Sequence, residues 1–121
     1  MARIALIGAG GVIFSQNFIK DILLDETLRD SDIVLMDIDP GRLDKAVLFT
    51  ERIGEQLGVT PKVSATTVLR EALRGTDYVI TIFRVGTLDH QRFEQDIPRK
   101  YGVDQVVADT LGPGGVFRGL R

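Results

Sequence analysis

Nine residues near the start of the chain limit its fold more than anything else in it. Arg3-Ile4-Ala5-Leu6-Ile7 is an apolar run of strand character, and it passes directly into Gly8-Ala9-Gly10-Gly11. About one strand–helix–strand unit later a second apolar run, Ile33-Val34-Leu35-Met36, ends on Asp37. Glycines placed there let the main chain pass close beneath a pyrophosphate, and the helix that follows aims its free N–H groups at the phosphate charge. An acid at the end of the second strand accepts hydrogen bonds from an adenosine ribose. The pattern predicts a dinucleotide-binding site with Gly8, Gly10, Gly11 and Val12 at the phosphates and Asp37 and Ile38 at the ribose.

Periodicity supports the same frame. Phe14, Phe18 and Ile22, with Ile19 and Leu23 beside them, recur at four-residue spacing and predict a helix buried on that face, followed by a polar loop over 25–32. The run 33–36 suits a strand covered on both faces. Asp39-Pro40 predicts an N-cap and first helical residue, and Leu43, Val47, Ile53 and Leu57 carry that helix to a stop at Gly58. A short strand is expected over 62–65, a short helix over 67–74 closed by Gly75, and a fourth strand over 78–83. Right-handed crossovers then give a Rossmann-like, doubly wound parallel sheet of order 3-2-1-4 within one domain spanning 1–121. Beyond it, Phe93 and Ile97 predict a helix kinked by Pro98 and ending at Tyr101-Gly102, while the run 109–115 within the tail 106–121 is too glycine-rich to be a helix interior.

Individual residues refine the site. Ile13 holds the third position of G-x-G-x-x-G, which serves helix–strand packing and not phosphate contact. Asp37 favours NAD over NADP because a carboxylate repels the extra 2′-phosphate. Arg42 stands where a guanidinium would reach that phosphate, although a solvated helix position is the simpler reading. Gly86, just past the fourth strand, is expected to approach the nicotinamide ribose. His90 reads as a solvated loop residue and Asp89 as a helix cap.

The chain has 121 residues, and its 15 Lys and Arg nearly balance 17 Asp and Glu. No electrostatic footprint for nucleic acid or a membrane surface results, and small-molecule chemistry is favoured. No apolar run reaches membrane-spanning length, and Met1 leads at once into the first strand without room for a secretion signal, so a cytoplasmic protein is expected. With no cysteine and only His90, an ordinary zinc site and disulfides are excluded. A four-strand half leaves sheet edges and helix faces without neighbours, which predicts self-association or a homo-oligomer.

Residues 107–121, Val-Ala-Asp-Thr-Leu-Gly-Pro-Gly-Gly-Val-Phe-Arg-Gly-Leu-Arg, complete a pattern with Gly8-Ala9-Gly10 and Met36-Asp37-Ile38-Asp39-Pro40. Together, and with Ile97-Pro98-Arg99-Lys100-Tyr101-Gly102, they resemble the N-terminal region of the NAD- and metal-dependent glycosidases of glycoside hydrolase family 4, most closely its α-galactosidase branch. Gly11 stands where that family often has serine, and Thr87 where a second glycine commonly follows Gly86. The resemblance implies an exception to two-carboxylate glycoside hydrolysis. NAD oxidises C3 of the sugar, a base removes the acidified C2 proton while a divalent metal, manganese in expectation, holds the oxyanion, and the glycosidic bond is eliminated; water then adds and the hydride returns.

In the family the metal ligands, a cysteine and a histidine, and the tyrosine base lie beyond residue 121. The resemblance therefore implies an NAD-binding portion without catalytic or metal-ligating residues of its own, inactive alone, with Asp109 and Thr110 bordering the sugar substrate. Two rival readings share the glycine turn and the ribose acid: the N-terminal domain of a lactate/malate-type dehydrogenase, and a non-catalytic nucleotide-binding module.

Overall fold

The computed structural model describes residues 1–104 and 112–120. They form two compact units, Met1–Phe83 and Arg84–Arg121. In the first, four parallel strands, β1 (Arg3–Ile7), β2 (Asp32–Met36), β3 (Lys62–Thr66) and β4 (Tyr78–Thr81), pair in the order β3-β2-β1-β4 expected from the sequence. Ile7 lies opposite both Met36 and Thr81, so the ends of β1, β2 and β4 reach one rim together. The fourth strand is shorter than its apolar run, yet Ile82 still donates its amide hydrogen to the Ile7 carbonyl at 2.7 Å.

The period-2 geometry of a strand divides the apolar runs between two faces. Ile4, Leu6, Ile33 and Leu35 pack on one side with Ile19, Ile22 and Leu23 of α1 (Val12–Leu24) and with Leu43 and Ala46 of α2 (Pro40–Leu57). Ala5, Ile7, Val34 and Met36 face the other side, where their buried helical partner is Ala72 of α3 (Leu69–Ala72).

α2 is built as its sequence predicts. Asp39 caps it by accepting the Arg42 amide hydrogen at 3.1 Å, Pro40 opens it, and Gly58 closes it in a left-handed conformation at φ 69°. α1 departs from expectation. Its buried residues are Ser15, Ile19, Ile22 and Leu23, whereas Phe14 is 65% exposed and Phe18 38%. The helix is apolar nearly all round at its start, so periodicity alone does not decide which stripe meets the sheet. α3 is also shorter than the expected 67–74, although Gly75 does follow with φ 68°.

The second unit packs α4 (Leu88–Lys100) against α5 (Pro113–Gly119). α4 runs through the buried Pro98 to Tyr101, and Gly102 follows at φ 78°. The expectation that 112–115 avoids helix is overturned, because Gly114 and Gly115 lie inside α5. A Cβ on Gly114 would stand 2.7 Å from Glu94 Cβ and 2.8 Å from the Glu94 carbonyl oxygen. The glycine allows one helix backbone to approach another, and this tertiary demand outweighs its poor helix propensity. Among the described residues, no helix is long and apolar enough to cross a membrane.

Candidate functional site

The glycine turn hangs from the end of β2: the amides of Gly8 and Ala9 both donate to the Met36 carbonyl, at 2.8 and 2.9 Å. Gly8 has φ 90°, and a Cβ there would come within 2.8 Å of the Phe83 amide nitrogen and Cβ. Only glycine reconciles that backbone angle with so close a neighbour. Gly10 is constrained from another direction, since its Cβ would fall 2.6 Å from Asp37 Oδ2 and 2.7 Å from Arg42 Cβ. Gly11 has room, the nearest atom to its Cβ position being the Gly8 carbonyl oxygen at 3.5 Å.

Asp37 ties the two halves of the pattern together. Its Oδ2 accepts the Gly10 amide hydrogen at 2.8 Å and its Oδ1 accepts that of Asp39 at 3.0 Å. Each carboxylate oxygen keeps a further lone pair, so ribose hydroxyls can be accepted beside these bonds. Gly11 is the N-cap of α1, makes no side-chain cap bond, and is followed by no acid in the first helical turn. The amides of Val12 and its successors thus form a positive helix end suited to an anion. Ile38 is 86% exposed on the rim beside Asp37 and contributes an open apolar surface.

A cavity of about 410 Å³ adjoins the turn, lined by Gly10, Gly11 and Val12 together with Ser15, Arg42 and Lys45. Ser15 is 3% exposed, and its hydroxyl has no hydrogen-bond partner among the described residues. Arg42 is the solvated helix residue expected, with Nε 3.6 Å from Asp39 Oδ2, and it also borders this cavity.

The second unit holds the remaining predicted residues. Gly86 has φ 91°, and its Cβ position lies 3.2 Å from His90 Cβ. His90 is not a loop residue as expected. It stands in the first turn of α4, where Nδ1 accepts the Thr87 amide hydrogen at 3.1 Å and lies 2.9 Å from the Thr87 hydroxyl oxygen. That bond assigns the proton of the neutral ring to Nε2. The cap of α4 is accordingly Thr87, and Asp89, expected to cap, is an acid inside the first turn. A second cavity, about 600 Å³ and chiefly apolar, is lined by Phe93, Ile97, Tyr101 and Val103 with His90 and Glu94. Asp109 and Thr110 lie outside the described residues. Among the described residues, no three His, Cys, Asp or Glu side chains are grouped to hold a metal ion.

Comparison with known proteins decides the family. The family model described as Family 4 glycosyl hydrolase matches residues 3–121. The chain belongs to this family. An α-galactosidase of Bacillus subtilis (strain 168) is 37% identical over 122 residues, covering 100% of this chain and 28% of the relative. An α-galactosidase of Rhizobium meliloti (strain 1021) is 40% identical over 119 residues, covering 98% and 24%. The chain therefore spans about a quarter of the length of these curated relatives. Among solved structures, the 6-phospho-β-glucosidase of Thermotoga maritima with manganese, NAD+ and glucose-6-phosphate superposes with a TM-score of 0.77 at 31% identity, covering 98% of this chain and 28% of that one.

Family 4 membership sets aside the dehydrogenase reading, and it gives the two departures a physical setting. A Cβ at position 11 would come no nearer than 3.5 Å to a neighbour, and the threonine at 87 gives α4 a cap whose amide and hydroxyl both meet His90. Sequence reading missed three features of this family 4 chain: Phe83 pressed on Gly8, Lys45 beside Arg42, and buried Ser15. Only the Arg42–Lys45 spacing of three, which places both on one helical face, was a signal available in advance.

Proposed function

We propose that this chain is the nucleotide-binding part of a glycosidase that hydrolyses α-galactosides and uses NAD as a resident redox cofactor. The observation that carries the reading is the brace between Asp37 and Gly10, which joins the expected ribose acid to the expected phosphate turn at 2.8 Å. The α-galactosidase relatives and the NAD+ and manganese of the solved neighbour support it. When bound, NAD supplies a hydride acceptor for the sugar, which acidifies the neighbouring C–H.

The residues of the chain bind and orient. Gly8 and Gly10 keep side chains out of the turn, Gly11 and Val12 present the N-terminus of α1 to the pyrophosphate, and Asp37 accepts the ribose hydroxyls, with Ile38 alongside. Asp109 and Thr110 are assigned to the sugar side on the family pattern. Manganese would be held by groups other than those described. We include self-association in the proposal, because Tyr78 and Val79 on the edge strand β4 are 61% and 48% exposed. A monomer persisting at high concentration in sedimentation would contradict that part.

Calorimetric titration with NAD tests the core of the reading. Saturable binding by the folded chain, weakened in Asp37→Asn, is the expected result, and a folded chain that ignores NAD overturns it. In the intact enzyme, turnover in deuterated water should place deuterium at C2 of the released sugar; hydrolysis without that exchange would exclude the elimination route.

A further inference from the structure

The carboxylate of Asp37 argues for an unphosphorylated ribose only while its charge stands free to repel a 2′-phosphate. In the structure both of its oxygens already accept main-chain amide hydrogens, from Gly10 and Asp39. Hydrogen bonds of this kind hold the carboxylate in its ionised form, so tolerance of a 2′-phosphate depends on the cations beside it. Next to it, Arg42 and Lys45 project from one face of α2 into the cavity that Gly10, Gly11 and Val12 also line. Arg42 lies beside the glycine turn, its Cβ 2.7 Å from where a Cβ on Gly10 would stand.

Its guanidinium is lightly held, by an ion pair with Asp39 at 3.6 Å between side chains 67% and 51% exposed. Such a pair is readily exchanged for a better partner. The floor of the cavity adds Ser15, whose buried hydroxyl has no partner among the described residues.

Resting on the nucleotide reading above, we propose that this site accepts a 2′-phosphorylated dinucleotide as well as NAD, with Arg42 and Lys45 holding the additional phosphate. The charge balance supports the choice. Two cations line the cavity and offset the carboxylates of Asp37 and Asp39, which accept main-chain amide hydrogens from Gly10, Asp39 and Arg42. A guanidinium and an ammonium three residues apart provide the fork and the point charge with which proteins commonly meet a phosphate.

The test is calorimetric titration of the intact chain with NAD and with NADP, repeated with Arg42→Gln and Lys45→Gln at two salt concentrations. NADP is expected to bind within about tenfold of NAD, and each substitution to weaken NADP roughly tenfold while leaving NAD nearly unchanged, as loss of one charge-assisted contact implies. NADP affinity should also fall more steeply with salt. NAD binding with NADP more than a hundredfold weaker, or an equal loss for both nucleotides in the variants, overturns this inference and leaves the nucleotide reading intact. Binding of neither nucleotide overturns both.

Discussion

Asp37 and Gly10, 27 residues apart in sequence, meet through a 2.8 Å hydrogen bond from the glycine amide to a half-buried carboxylate oxygen. The bond adds a side-chain tie between the turn and the residue after β2, beside the Gly8 and Ala9 amides that donate to the Met36 carbonyl. Asp37 therefore has two roles, and substitutions separate them. Asp37→Asn retains an acceptor for one amide, while Asp37→Ala leaves the Gly10 and Asp39 amides without either bond. NAD binding is expected to weaken by about 1.5–3 kcal/mol in both variants, as for loss of hydrogen bonds to a charged group. Only the alanine variant should also lower the denaturation midpoint clearly; equal midpoints would show that the brace does not support the fold.

The adjacent glycines give opposite expectations. Gly10→Ala drives a methyl into Asp37 and Arg42, so a destabilisation of about 1–3 kcal/mol with loss of nucleotide affinity is expected. Gly11→Ser makes only ordinary van der Waals contact at an N-cap with φ −76° and ψ 105°, and should be neutral or stabilising by a few tenths of a kcal/mol. Urea unfolding of the two variants checks the contrast, and a Gly10→Ala chain as stable as its parent would refute the steric account.

Gly114→Ala tests the approach of the two helices in the second unit. The added methyl would overlap the Glu94 backbone, which cannot swing away as a side chain end would. Hydrogen exchange of α4 and α5 amides should accelerate markedly. Unchanged protection in this variant would mean that the contact is relieved at little cost.

What the sequence revealed here, and what it hid, follows from the range of the interactions. The limits of α2 were readable because Asp39, Pro40 and Gly58 act within one turn of the helix end, and the sheet order was readable because crossover handedness leaves few alternatives. The buried stripe of α1 was misread because Phe14 and Phe18 match the helical period as well as Ser15 and Ile19 do. The need for a glycine at 114 was hidden because the backbone that approaches it, that of Glu94, is distant in sequence. At the site, the identities of Gly8, Gly10 and Asp37 were legible as a pattern, whereas the contact of Arg42 Cβ with the turn exists only once α2 is packed.

Removing the α4 cap should show in the helix it starts. His90→Ala deletes the acceptor of the Thr87 amide hydrogen and is expected to cost about 0.5–1.5 kcal/mol, as for loss of one net hydrogen bond. Thr87→Gly should cost less, because the amide donor remains. Exchange rates of the first α4 amides distinguish the two, and equal rates in both variants would argue against the imidazole as the cap partner.

Asp25 predicts a weak acid dependence. Its exposed carboxylate accepts from the Thr27 hydroxyl and amide and from the Leu28 amide, which lowers its pKa below the ordinary 3.8, the Thr27 hydroxyl having the largest effect. A lowered folded-state value means that the turn is stabilised above about pH 3.8 and loses that stabilisation as the pH falls through the folded value. Asp25→Asn should flatten this part of the stability profile, and an unchanged profile would assign the acid dependence elsewhere.

Because the strands are all parallel, every connection that enters a strand lies at the rim opposite the glycine turn. The loop carrying Asp25 and Glu26 is one of these, and the Glu26 side chain is 90% exposed. The sequence contains no cysteine, so Glu26→Cys would create a single addressable thiol on the side of the sheet away from the glycine turn. A dye, a spin label or a surface tether attached there would report on the chain without entering its chemistry.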